Sequence, residues 1–480
     1  MNDRKGFGSN FGFLMAAVGS AVGLGNIWGF PNKMGANGGF PFLILYLALA
    51  LCCGVIIMLG ELALGRKTGH GAVGAYQSIS KRFKWLGWLG IAAAALIFSF
   101  YSALGGYCLR YVVVNFGNLL GSEFGTNGVG GADVFQGLLS QPDVSIAFAL
   151  AFMLITMLVV MCGVGGGIER VCSVGMPALF FILIICIIRS CTLPGAADGL
   201  KYMFVPGWAV ANGIIDEAPG FWRVLTAAGG QMFFSLSLGA GVMITYGSYL
   251  DKKQDLGKST MIIVGMDTVV ALMAGLCVIP GRFALDPNGA LGGPELLFIT
   301  MQNVFDKMGP AGPVFGILFY LLVFFAAISS SISMLEVIVA HFCDKAREKG
   351  KGDRRKLYSA IAVVICAALC ALVCADGMGS NHISPAELLG LAGAKLPGWS
   401  TSWLGLFDSV AEGLLMPLGA LLMCLMISWE LKPDALRQEI LLNGENRPWV
   451  YDFFRLCVKY ITPLCMLMIL YGQISDFFIV

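Results

Sequence analysis

The chain has 480 residues, of which 57% are hydrophobic and only 12% charged, with a formal net charge of +2 and a mean hydropathy of +0.79. A soluble domain carries about twice that share of charge, so composition excludes a soluble enzyme. The net charge says nothing about nucleic acid, but no basic run is interleaved with aromatics, and no nucleic-acid partner is expected.

Apolar windows of roughly 20 residues recur along the whole length, each long enough to cross about 30 Å of hydrocarbon. The alternating ten-residue strands of a barrel do not occur, so the expected class is an all-α polytopic membrane protein in a lipid bilayer. Eleven spans are predicted, at 9–33, 40–65, 86–118, 145–164, 171–191, 222–250, 258–282, 311–344, 356–376, 405–430 and 452–475. The longest exceed one perpendicular crossing and must tilt, break or protrude. If the spans alternate, Arg4, Lys5, Arg66, Lys67, Lys81, Arg82, Lys84, Arg170, Lys252, Lys253, Lys258 and the cluster from Lys345 to Lys356 fall on one side. The positive-inside rule then puts the N-terminus in the cytoplasm, and an odd span count puts the C-terminus outside. The first apolar run is too long for a cleavable signal peptide, and no small-residue cleavage site follows it.

The first span contains "GSAVGLGN", Gly19 to Asn26, and the sixth contains "SLSLGAG", Ser235 to Gly241. Glycine weakens a helix interior by about 1 kcal/mol relative to alanine. Where a helix unwinds in a membrane, only protein, water or a ligand can satisfy the freed backbone groups. The two clusters lie five spans apart. That spacing predicts one transporter domain over 1–480, built from two five-helix inverted repeats, 9–191 and 222–430, followed by helix 11 at 452–475. Glycine breaks at matching places in two halves point to a binding site near the bilayer midplane. Small residues also line close helix contacts, and the hydroxyl and amide side chains beside both clusters tilt the reading toward a site.

Asp267 lies in "VGMDTVVALMAG", deep in the seventh span. A carboxylate there costs several kcal/mol and is a functional candidate by default; a protonated carboxyl bonded to a neighbouring helix is the structural alternative. Asn26 and Ser235 add oxygens suited to a hard cation. In the eighth span Ala326, Ser329 and Ser330 share one helical face, although serines in helices often bond back to their own turn. Glu61 in "GELALGR" reads as a structural acid bonded to neighbouring backbone. "GVGGG", Gly163 to Gly167, follows no strand and precedes no GK[ST], and reads as the inner turn between spans four and five. The 15 cysteines sit mostly in apolar segments, without metal-ligand spacing near the three histidines. They read as buried thiols, and nothing suggests a catalytic nucleophile.

The stretches "AAVGSAVGLGNIWGFP", "GGQMFFSLSLGAGVMITYGSYL", "GIERVCSVGMPALF", "PGAADGLKYMF", "GPELLFITMQNVF" and "FFAAISSSIS" resemble, in that order and over nearly the whole chain, the neurotransmitter:sodium symporters in their bacterial amino-acid branch. The resemblance implies the leucine-transporter fold with helices 1 and 6 unwound. It implies sodium-driven uptake of an amino acid by alternating access, with two Na⁺ ions, in the cytoplasmic membrane of a bacterium, as a monomer or homodimer.

By position, one implied Na⁺ site takes the Ala21 carbonyl, Asn26, Ser235 and Asp267, with the substrate carboxylate. The second takes the carbonyls of Gly19, Val22 and Ala326 with Ser329 and Ser330. Anchoring the comparison on Gly275 puts Asp267 at the family's asparagine ligand position. Chloride-dependent relatives borrow an anion where this chain has a fixed carboxylate, and Ala271 stands where relatives bear serine or glutamate, so chloride-independent transport is expected. The implied substrate pocket comprises Ser20, Ala21, Gly23, Leu24, Gly25, Ile97, Tyr101, Phe234, Ser235, Ser237, Ala240, Ser330 and Met334. Monoamine carriers bear aspartate at position 23, so glycine favours a true amino acid, and Ala240 with pliable Met334 favours a large apolar or aromatic one. An amine, GABA-like or betaine-like cargo is the alternative. Tyr101 and Phe234 form the implied outer lid, Asp408 the outer gate acid, and Arg4 with Asp344 the inner gate. The arginine that relatives use against Asp408 is Gly29 here. Another basic residue replaces it or the gate is looser, and Glu412 joins Asp408 in facing the outer vestibule. Two ions entering with a membrane potential of 100 mV contribute about 4.6 kcal/mol, enough for over a thousandfold accumulation at about 1.4 kcal/mol per tenfold.

Overall fold

The structure is a computed structural model. It describes residues 6–126, 128–291, 293–352, 354–390, 398–431, 434–441 and 448–478, and every regular element among them is helical. The first predicted span is a bent pair, α1 (Asn10–Ala21) and α2 (Gly25–Ala36), turned by 44° at its break. Then follow α3 (Phe40–Thr68), α4 (Lys81–Leu120), the short α5 (Gly131–Leu139), α6 (Pro142–Met161) and α7 (Val164–Cys191). The sixth span is split into α8 (Phe221–Ser235) and α9 (Val242–Gly247). After it come α10 (Leu256–Leu285), α11 (Gly309–Glu348), α12 (Arg355–Gly379), α13 (Trp403–Glu430), the short α14 (Asp434–Ile440) and α15 (Trp449–Phe477).

Among the described residues nine helices are long and apolar enough to cross a membrane, and the α1–α2 pair makes ten. The eleventh expected crossing is the split one. Its pieces of 15 and 6 residues are each shorter than the ~20 a crossing needs.

One local reading is corrected. The glycines of "GVGGG" are not an inner turn. Gly163 alone, in the left-handed region with φ 82°, reverses the chain, and Val164–Glu169 already form the first, π-wound turns of α7. A single residue without a Cβ makes this corner, so the glycines after it are free to join the helix, and the span starts at 164 rather than 171.

Small residues let the long helices approach closely. A Cβ on Gly106 of α4 would lie 2.5 Å from the backbone nitrogen of Ala149 on α6. Between α6 and α11 the hydroxyls of Thr156 and Ser331 are 2.8 Å apart, and between α4 and α11 the rings of Tyr111 and Tyr320 are 4.9 Å apart. Helix α1 packs on α7, α10 and α11. Its first turn is fixed from outside as well as by its own cap. Ser9 Oγ accepts from the Gly12 N–H at 2.9 Å in an ordinary N-cap, while Glu169 of α7 accepts from the Gly8 N–H at 2.7 Å and the Ser9 hydroxyl at 2.8 Å.

Candidate functional site

The first break is narrower than "GSAVGLGN". Gly19, Ser20 and Ala21 remain in α1, and the chain leaves the helix at Val22, whose ψ of 96° is extended. The N–H groups of Gly23 and Leu24 therefore leave the helical ladder. Gly23 donates to the Asn26 side-chain oxygen at 3.1 Å and Leu24 to the Tyr101 hydroxyl at 2.7 Å. The carbonyls on the other side of the break turn to hydroxyls. Ser330 Oγ donates toward Gly19 O at 3.3 Å and Ser20 O at 3.0 Å. Ser237 Oγ donates to Ser20 O at 3.0 Å, and Ser329 Oγ to Val22 O at 3.4 Å.

The second break runs over 236–241. Ser237 has φ 54°, Gly239 79° and Gly241 73°. A serine held in this strained region is typical of a ligand-facing segment. Glu61 accepts from the Gly239 N–H at 2.7 Å, which is the structural role its motif suggests.

Two oxygen clusters flank the breaks. In the first, Asp267 is fully buried. Its Oδ1 accepts from Asn26 Nδ2 at 2.7 Å, and its Oδ2 from Ser235 Oγ at 2.9 Å and the Tyr46 hydroxyl at 3.2 Å. Asn26, Ser235 and Asp267 thus meet in one network. Among the described residues Ala21 makes no hydrogen bond to the three. The Asn26 carboxamide gives its oxygen to Gly23 and its NH₂ to Asp267, and the oxygen's second lone pair can meet a cation. In the second cluster, Ser329 Oγ reaches the Val22 and Ala326 carbonyls and the neighbouring Ser330 Oγ reaches the Gly19 carbonyl. Ser329 both bonds back to Ala326 O at 3.0 Å and reaches across to Val22. All donors are oxygens, a set that fits a small hard cation and no soft metal.

Between the clusters lies Gly23. A methyl group there would overlap the hydroxyls of Ser330 and Tyr101, so no side chain fits. The Tyr101 and Phe234 rings face each other at 6.3 Å, and a Cβ on Gly25 would lie 3.0 Å from the Phe234 ring. Ser20, Leu24 and Ser237 complete this group through the bonds above. Ile97, Ala240 and Met334 are buried, and among the described residues no polar contact joins them to it.

The family model described as the sodium:neurotransmitter symporter family matches residues 4–129 and 132–478. The chain belongs to that family. The symporter is 36% identical over 476 residues to the uncharacterized sodium-dependent transporter YhdH of Bacillus subtilis, covering 97% of each chain. It is 30% identical to the uncharacterized sodium-dependent transporter MJ1319 of Methanocaldococcus jannaschii, over 91% of this chain and 84% of that one. Among solved structures it is similar to MhsT in complex with L-phenylalanine, with a TM-score of 0.83 and 33% identity over 98% of this chain and 100% of that one. It is therefore a sodium-dependent, integral membrane transporter rather than an enzyme, with the leucine-transporter fold.

At the end of the symporter that carries Asp408, a basic residue stands near the two acids, as the first of the two expected alternatives has it. Lys33, one helical turn after Gly29, forms an ion pair with Glu412. The pair shares a cavity of about 300 Å³ with Asp408 and Arg223. Gln231 fills the space beside Gly29, 3.0 Å from where a Cβ would stand, and donates to the Gly25 carbonyl at 2.6 Å. At the opposite end Arg4 lies outside the described residues. Asp344 accepts from the Gly71 N–H at 3.1 Å and lies 3.8 Å from the Arg347 guanidinium. It borders a cavity of about 1060 Å³ with Tyr249 and Arg355. Phe7 packs edge-on against Phe13 and Tyr246, at 5.4 and 5.7 Å between centroids.

Tyr46, Gln231 and Lys33 were not among the sequence candidates. Tyr46 and Gln231 carried a signal, since a phenol or amide in an apolar window needs a buried partner. Lys33 carried only its spacing from Gly29.

Proposed function

We propose that this transporter imports a large apolar or aromatic amino acid together with two Na⁺ ions, by alternating access and without chloride. The observation that carries this reading is the pairing of a buried carboxylate, Asp267, with a glycine at position 23 that leaves no room for an acid. Asp267 supplies the negative charge that balances Na⁺ bound with Asn26, Ser235 and the Ala21 carbonyl. The cargo brings its own carboxylate, which completes that shell, so ion and cargo each strengthen the other's binding. The second ion takes Gly19, Val22, Ala326, Ser329 and Ser330.

The cargo's carboxylate meets the Leu24 and Gly25 amides and the Tyr101 hydroxyl, a position favoured by a positive helix end. Its ammonium meets the carbonyls of the second break and Ser237. Its side chain lies toward Ile97, Phe234, Ala240 and Met334. That the related MhsT is crystallised with L-phenylalanine supports the substrate class. The two halves act as inverted repeats in a bacterial cytoplasmic membrane, the N-terminus inside and the C-terminus outside, with Tyr101 and Phe234 as lid, the Lys33–Glu412 pair beside Asp408 as outer latch, and Asp344 with Arg4 at the inner gate.

The test is binding of radiolabelled tryptophan, tyrosine and leucine to the purified protein in NaCl, sodium gluconate and choline chloride. Binding equal in the two sodium media and lost in choline is expected. Loss in gluconate overturns the chloride assignment, and displacement by GABA or betaine but not by the amino acids overturns the cargo.

A further inference from the structure

Away from the breaks, residues of α4, α5 and α6 together line a groove of about 270 Å³. Arg110 of α4 and Asp133 of α5 both line it. Among the described residues neither forms an ion pair. The half-buried Arg110 guanidinium instead lies 6.0 Å from the Phe148 ring of α6, and Asp133 sits in the first turn of α5. Beside Tyr111, Thr126 and Gln141, the walls carry an apolar set: Val114 from α4, Val134 and Leu138 from α5, and Val144 from α6. The helices that form the groove go on to expose Phe116 on α4 and Leu150 and Leu154 on α6, side chains that face lipid in an integral membrane protein.

An arginine within a membrane-crossing helix and without a counter-charge is costly and usually marks a ligand or a partner. Here half-buried Arg110 and exposed Asp133 line one groove without pairing, so the complementary ligand is a zwitterion with its charges in the opposite order. An anionic headgroup satisfies Arg110 and is repelled by Asp133. A headgroup with a phosphate and a primary ammonium satisfies both, the phosphate through a forked guanidinium contact and the ammonium through hydrogen bonds that a quaternary amine cannot make. The apolar walls and the exposed side chains beyond them suit acyl chain rather than water.

We propose that this groove is a binding site for one aminophospholipid of the phosphatidylethanolamine class, with its phosphate on Arg110, its ammonium on Asp133 and its chains along α4 and α6. Bound there, the lipid ties α5 to α4 and α6, the three helices it touches.

A photoactivatable phosphatidylethanolamine, incubated with the full-length protein in mixed micelles and mapped by peptide mass spectrometry, tests the assignment. Labelling is expected on peptides within 110–150. Unlabelled phosphatidylethanolamine should suppress it roughly tenfold better than phosphatidylglycerol or phosphatidylcholine. R110Q should lower the labelling about tenfold, and D133N should remove the preference over phosphatidylcholine. Equal competition by all three lipids on the wild-type protein overturns the proposal without any variant, because it indicates annular contact alone. Suppression by water-soluble phosphoethanolamine as strong as by the lipid overturns the lipid as occupant, and labelling unchanged in both variants overturns the named residues.

Discussion

Around Asp267 three side chains, Asn26, Ser235 and Tyr46, donate to one buried carboxylate. Around Ser329 and Ser330 the direction is reversed, and two hydroxyls donate to backbone carbonyls that the first break releases. The first cluster holds a formal charge, and its carboxylate, hydroxyl and amide oxygens keep lone pairs for a cation. The second holds only dipoles, and a cation that enters has merely to displace two neutral hydrogen bonds. Charge is thus concentrated in one site and geometry in the other, so single substitutions in the two should differ greatly in size.

The largest effect is expected from Asp267→Ala. It removes the only charge of the first cluster and leaves Asn26, Ser235 and Tyr46 without their common acceptor. Sodium-dependent substrate binding should fall at least a hundredfold, on the order of 3 kcal/mol for a buried charged partner. A loss below tenfold in equilibrium binding would mean that the charge is not what distinguishes the two clusters. Gly23→Ala comes next. The added methyl overlaps the Ser330 and Tyr101 hydroxyls and forces both to shift, so substrate affinity should fall by tens of fold and the thermal midpoint of the ligand-free protein should fall with it. Scintillation-proximity binding and a melting curve on the same preparation check both halves.

Much of this comparison was legible in the sequence because breaks and buried charges break strong local rules. Three glycines in an apolar window, an aspartate in mid-span and a serine run on one helical face are conspicuous against their surroundings. What was not legible depended on the third dimension. The width of the first break is set by Asn26 and Tyr101 capping two amides, and by hydroxyls arriving from α11 and the second break; all but Asn26 are distant in sequence. Tyr46 looks like any aromatic in "FPFLILY" until α3 is packed on α10. Lys33 replaces a lost arginine only because α2 is helical there and presents it one turn further along, toward Glu412. The α7 start differs for a local reason: one left-handed glycine, Gly163, makes the turn that the five residues of "GVGGG" suggest.

Smaller substitutions refine the contrast. Tyr46→Phe removes one hydrogen bond to a charged acceptor, worth about 1.5 kcal/mol, and should raise the sodium concentration for half-maximal binding roughly tenfold. Ser329→Ala removes one neutral oxygen from the set assigned to the second ion, a contact of about 1 kcal/mol, and should raise it about fivefold. If the order of the two is reversed in sodium titrations of bound substrate, the charged cluster is not the stronger sodium site.

The smallest effect is expected furthest from both clusters, where α3 is pinned to α14. Arg66 Nε donates to Glu439 Oε2 and Lys252 Nζ to Oε1, each at 2.8 Å. Burial alone raises the Glu439 carboxyl, but the hydrogen bonds from Lys252 and Arg66 outweigh it, and the net displacement is downward. A carboxyl lowered on folding stabilises the protein fully above its unfolded value of about 4.3, and that contribution disappears as the pH falls through the folded value. Lys252 is well exposed and screened, so Arg66, which is buried, carries most of the interaction. Glu439→Gln should therefore lower Tm by on the order of 2 °C at pH 7, with the gap closing below about pH 4 as the parent's carboxyl takes up its proton. Sodium affinity should stay at the parent value throughout, because the pin holds two helices together and touches neither oxygen cluster. A gap that persists in acid would assign the stabilisation to packing around the side chain rather than to its charge.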